Sequence, residues 1–124
     1  GTRYLRDQHP DVNQLYSNIR WSQRDNFLSV PTDCPQRDER LGWTGDIQVF
    51  ARAATYHADT RAFLRKCSTT CGRASAKTGL IPTSPLPQLL GIRHRRWGDA
   101  GVIVPWTVYL MTGDQAVLEE CYAP

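Results

Sequence analysis

Apolar residues recur at helical spacing in five stretches of this chain, separated by turns rich in Gly, Pro and Asp. Residues 11–26 read as a first helix, with Asp11 placed to cap it and Leu15, Ile19 and Tyr16 forming its apolar stripe. Residues 27–45 are polar and broken by Pro and Gly, and read as a long loop. A second helix begins at about Asp46, carries Ile47, Phe50 and Ala54 on one face, and ends at about His57. Asp59 is placed to cap a third, whose stripe includes Phe63 and Leu64, and residues 73–100 read as loop. A very apolar helix follows over 101–111, where Pro105 is tolerable only near the start. Asp114 then caps a short helix through Val117, Leu118 and Cys121. Trp21 and Trp106 fall on helical stripes and are expected in the core, and His57, at a helix end, reads as structural.

Two segments, YHADTRAFLRK and LMTGDQAVLEE, resemble each other: each places Asp just after a helix end and restarts a helix at once. This faint repeat is what helical hairpins produce, so the expected fold class is all-α. Antiparallel helices alternate direction, so every second connection falls at the same end. The short turns at 58–59 and 112–114 then share one end. The loops 27–45 and 73–100 share the other, where the segment WGDAG (97–101) joins a rim with the first loop.

The 124 residues suffice for one small domain with a modest core. No run of 18 apolar residues is present to span a membrane. The N-terminus GTRYLRDQHP lacks the apolar stretch of a signal peptide, which tilts the expected location toward the cytoplasm without fixing it. The net charge of +3 is uneven: residues 67–96 hold Arg73, Lys77, Arg93, Arg95, Arg96 and no acid. Such a run suits nucleic acid, but it lacks interleaved aromatics and a recognisable module, so no nucleic-acid partner is expected. Cys67 and Cys71 are spaced CxxxC, and with Cys34 and Cys121 they leave zinc, disulfides or free thiols open. Free thiols are the default; no metal or cofactor is expected.

The densest chemistry lies in 33–46, DCPQRDERLGWTGD. Asp33, Asp38, Glu39 and Asp46 are interleaved with Arg37, Arg40 and Trp43, and Pro35, Gly42 and Gly45 shape the stretch as a loop. Four carboxylates in one loop cost charge repulsion and gain little packing. Carboxylates, guanidinium groups and an indole suit a carbohydrate: an acid protonates the glycosidic oxygen, charged groups bond hydroxyls, and the indole covers an apolar sugar face. Each residue also has a duller role. Asp46 could only cap the second helix, Asp33 only stabilise the turn at Cys34-Pro35, Arg37 only neutralise Asp33 or Asp38, and Trp43 and Trp97 only fill a core.

Residues 16–50, YSNIRWSQRDNFLSVPTDCPQRDERLGWTGDIQVF, with 97–114, WGDAGVIVPWTVYLMTGD, resemble the catalytic domain of bacterial α-L-rhamnosidases, glycoside hydrolase family 78. The resemblance covers about 11–66 and 97–124. It implies part of an (α/α)6 barrel, agreeing with the hairpin reading, and hydrolysis of terminal α-L-rhamnose from a glycoside or oligosaccharide with inversion. Position by position, it implies that Glu39 is the general acid and that Asp33, Arg37, Trp43, Asp46 and Trp97 line the sugar pocket. Either indole would offer the methyl group of this 6-deoxy sugar an apolar wall.

An inverting glycosidase also needs a base carboxylate roughly 6.5–9.5 Å from the acid. The resemblance implies a glutamate much later in the barrel, beyond Pro124; Glu119 and Glu120 sit too early, on a surface-like helix. The chain is therefore read as a partial catalytic domain, 1–124, carrying the acid loop without the base and inactive alone. The alternatives are a non-catalytic sugar-binding or inert relic and, further off, a basic nucleic-acid-binding segment. Residues 67–96 depart from the family. Read one base out of frame, 67–73 permits Val-Leu-Asp-Asp-Val-Arg-Ala and 77–87 permits a family-like loop. A frame-shifted 67–96 is expected to be loop-like and poorly packed.

Overall fold

The computed structural model describes residues 8–38, 41–78 and 98–122. Five helices follow one another: α1 (Pro10–Asn26), α2 (Thr44–His57), α3 (Arg61–Thr78), α4 (Ala100–Thr112) and α5 (Ala116–Tyr122). No strand occurs among the described residues, only an isolated bridge between Phe27 and Pro31.

Helix α1 starts at Pro10, whose fixed φ suits a first turn, and Asp11 sits inside that turn instead of capping it. Its inward face is Tyr16, Ile19 and Gln23, spaced three and four apart. Trp21 lies two positions, or 200°, from Ile19 and Gln23 and is 58% exposed, against the core expectation. Leu15, at the edge of the stripe, is also exposed. Trp106 is exposed for the same reason, being two positions from the buried Val104 and Val108 of α4.

Helix α2 begins two residues earlier than its pattern suggested. Trp43 is the N-cap residue in extended backbone, so Asp46 falls in the first turn and is not the cap. There its carboxylate lies where the helix dipole favours negative charge. Ile47, Ala51 and Ala54 form the buried face, and two alanines keep it narrow.

Helix α3 corrects the sequence reading most. Over 73–78 the expected loop is a helix, which continues to Thr78, and Cys67, Ser68 and Cys71 are buried where loose packing was expected. Thr60, Leu64, Cys67, Ser68 and Cys71 make one buried face at spacings of three and four, which a helix satisfies whatever the local composition. The small thiols pack as apolar groups. The Ser68 hydroxyl donates to the Leu64 carbonyl (2.9 Å), and those of Thr69 and Thr70 donate to the Lys66 carbonyl (3.2 and 2.7 Å). All four cysteines are free. Its contact with Cys67, and then burial, push the Cys71 thiol far above its ordinary range. Residues 79–96 lie outside the described residues.

The core joins α2, α3, α4 and α5 through Ile47, Ala51, Leu64, Ala100, Val104, Val108 and Val117. Val104 is thus interior, and Tyr109 packs against the core, while Val102 is 51% exposed. Pro105 lies buried in the second turn of α4. That helix ends at Gly113, whose φ of +72° turns the chain and lets its N–H reach the Tyr109 carbonyl (2.8 Å).

The two repeat-like turns behave alike. The Asp59 carboxylate accepts the Arg61 N–H (3.3 Å), and that of Asp114 accepts the N–H of Ala116. The turns meet: Asp114, buried, pairs with Arg61 (2.9 Å) and Arg65 (3.5 Å), and Arg65 pairs with Glu120. This contact seats both short turns at one end of the bundle. Chain direction then places the heads of α2 and α4 at the opposite end.

Candidate active site

The long loop between α1 and α2 is a built structure. The Phe27 N–H closes α1 on the Gln23 carbonyl (2.9 Å). The Phe27 ring stacks on Phe63 at 4.4 Å and meets Phe50 edge-on at 6.3 Å. Lys66 of α3 donates to the Ser29 carbonyl (2.9 Å). The Thr32 N–H and hydroxyl both donate to the Asn26 carbonyl (2.9 and 3.1 Å). Asp33 then donates its N–H to the Leu41 carbonyl (3.2 Å), which brings the ends of 33–41 together. Within that closed loop, a turn over 35–38 carries Arg37 and Asp38 outward.

Of the residues singled out by sequence, Asp33 and Asp46 are brought to one place. Both line a cavity of about 420 Å³ between α1 and the head of α2. Asp33 is half-buried and Asp46 exposed. Trp43 is half-buried, one residue ahead of the first turn of α2, and Arg37 is exposed on the loop. Glu39 and Trp97 lie outside the described residues. Glu39 is bracketed by Asp38 and Leu41, and Trp97 directly precedes Gly98 at the head of α4.

The cavity also shows what the pattern reading passed over. Asn18, Ser22 and Asn26 of α1 line it together with Asp46 of α2. Their spacing, i, i+4 and i+8, is a short polar stripe beside the apolar one, and it was the available signal. It adds hydroxyl and amide groups to a cavity that also holds two carboxylates. A second cavity, about 680 Å³, lies along α1 near the 57–60 turn and includes none of the candidate residues. Its His57 packs against the Tyr16 ring at 5.3 Å. Among the described residues no group of three or more His, Cys, Asp or Glu is placed to hold a metal. No helix among them is long and apolar enough to cross a membrane.

The bacterial alpha-L-rhamnosidase 6 hairpin glycosidase domain family matches residues 2–124. An alpha-L-rhamnosidase of Streptomyces avermitilis is 50% identical over 112 residues, covering 90% of this chain and 11% of its own length. One of Alteromonas sp. (strain LOR) is 41% identical over 115 residues, covering 92% and 12%. Among solved structures, the alpha-L-rhamnosidase of Aspergillus terreus superposes with a TM-score of 0.88 at 44% identity, over 98% of this chain and 14% of that one. The Streptomyces avermitilis enzyme complexed with L-rhamnose gives 0.86 at 48% identity, over 94% and 11%. The chain thus spans 11–12% of the length of these two curated relatives. With these neighbours, the helical hairpins are part of an (α/α)6 barrel.

Proposed function

The chain belongs to the bacterial alpha-L-rhamnosidase six-hairpin glycosidase family, and on that premise we propose that it carries the general-acid half of an inverting α-L-rhamnosidase site. The observation that supports this best is the meeting of Asp33 and Asp46 on one cavity at the foot of a closed loop. In this reading Glu39 protonates the glycosidic oxygen as the bond to the anomeric carbon breaks. Asp33 and Asp46 accept hydrogen bonds from rhamnose hydroxyls, and Arg37 donates to them. Trp43 and Trp97 cover the apolar face and the methyl group.

Inversion requires a second carboxylate to take a proton from the attacking water on the opposite face of the sugar. Our reading assigns that base to a later part of the barrel. In support, Glu120 is engaged by Arg65, which holds its carboxyl below the ordinary range, where it is a poor base. The chain alone is then expected to bind L-rhamnose without cleaving rhamnosides. Calorimetric titration with L-rhamnose and an aryl α-L-rhamnoside hydrolysis assay test this together. Binding weakened by Trp43→Ala, with no turnover, is the expected result. Hydrolysis by the chain alone would refute the divided site, and absence of rhamnose affinity would leave the inert-relic alternative.

We also propose that residues 67–96 are translated in a shifted reading frame. Helical order to Thr78 and burial of Cys67 and Cys71 count against the shift. In its favour stands only the sequence: the buried positions 67, 68 and 71 would read Val, Leu and Val, and the half-buried 69 and 70 would both read Asp. Resequencing the encoding DNA from codon 66 to codon 97 should show a single-base shift that is later reversed. A confirmed reading frame would rule the shift out.

A further inference from the structure

We infer that Thr32 is a positioning residue for the acid-bearing loop, an inference that rests on the rhamnosidase reading above. The last carbonyls of a helix have no intrahelical donor. The carbonyl of Asn26, final residue of α1, receives two donors from one residue instead: the Thr32 N–H at 2.9 Å and the Thr32 hydroxyl at 3.1 Å. Thr32 is half-buried, so water competes weakly for these bonds. It directly precedes Asp33, whose N–H takes the Leu41 carbonyl and closes the loop two residues after Glu39.

Thr32 therefore couples the rigid end of α1 to the base of the loop. Asn26 itself lines the cavity with Asp33 and Asp46. The anchor and one lining residue of the cavity are the same, so slack at Thr32 would move Asp33 relative to that lining. A main-chain bond alone would leave the Thr32 side chain free to turn; the second bond fixes it. The hydroxyl makes no contact with the sugar in this account and acts only through the position of Asp33.

The test replaces Thr32 in the whole chain. Thr32→Val keeps the shape and deletes the hydroxyl; Thr32→Ser keeps the hydroxyl. Amide hydrogen exchange at Asp33 and L-rhamnose affinity are read for each, with circular dichroism confirming equal helix content. Thr32→Val is expected to speed Asp33 exchange and raise the rhamnose Kd, each about fivefold, the factor for one net hydrogen bond. Thr32→Ser should restore both. Unchanged Asp33 exchange in Thr32→Val would overturn the anchor. Faster exchange with unchanged affinity would overturn its positioning role. If the unsubstituted chain binds no rhamnose, the rhamnosidase reading fails instead, and the Kd part of the inference falls with it.

Discussion

The packed face of α2, α3 and α4 and the loop between α1 and α2 are stabilised in different ways. Ala51, Leu64 and Val108 are fully buried, and each is held by many weak contacts. The loop has little such burial. It is fixed by individual bonds: two from Thr32, one from Asp33, one from Lys66, and a stacked Phe27. Burial tolerates exchange among apolar residues of similar size, whereas a loop held by directed bonds places polar groups to within a bond length. Asp33 sits on the second kind of structure, and Asp46 on a helix of the first, at the head that adjoins the loop.

Leu64→Ala should produce the largest effect, because Leu64 is completely enclosed at the α3–α4 contact. A loss of about 2–5 kcal/mol is expected in denaturant unfolding. Rhamnose affinity of the folded fraction should stay the same; a parallel loss of affinity would erase the distinction between scaffold and loop.

Asp114→Asn comes next. The hydrogen bond from Arg61 holds the Asp114 carboxyl below its ordinary value, so the folded chain takes up that proton less readily than the unfolded chain. The resulting stability is complete above the unfolded carboxylate's pKa and is lost as pH falls through the lowered folded value. Asp114→Asn should therefore be less stable at neutral pH, with the gap from the unsubstituted chain closing in acid. A gap that is constant with pH would contradict the ion pair.

Gly113→Ala should cost about 1–2 kcal/mol, since φ of +72° strains any residue with a Cβ. The space around Gly113 is open, so the loss would be conformational and not steric. Smallest is Lys66→Met, which removes an exposed tie from α3 to Ser29. Stability should change by no more than about 0.5 kcal/mol. Faster amide exchange confined to 28–30 would show the tie acting on the loop alone.

The helical scaffold was legible because burial leaves a period. Ile47, Ala54, Leu64 and Val117 each stood in the right stripe, and the Asp-marked turns at 59 and 114 restarted helices as read. The misreadings share one physical cause. Composition suggests a loop from 73, yet the residues to Thr78 continue the helix that begins at Arg61. Trp21 and Trp106 read as members of an apolar helical stripe, although their angle points them outward. Asp33 and Asp46, singled out by their chemistry and by the family resemblance, line one cavity. The Asn18–Ser22–Asn26 wall was missed, because short polar residues on a helix look like an ordinary solvated face until the loop is folded over them.

The most direct test of the account is a nuclear magnetic resonance titration of the chain with L-rhamnose. We predict shifts in the amides of Asp33 and Asp46 and the indole N–H of Trp43, with those of Leu64 and Val108 unmoved. No shift at these loop and helix-head positions, or shifts centred instead on His57 and Thr60 beside the other cavity, would contradict it.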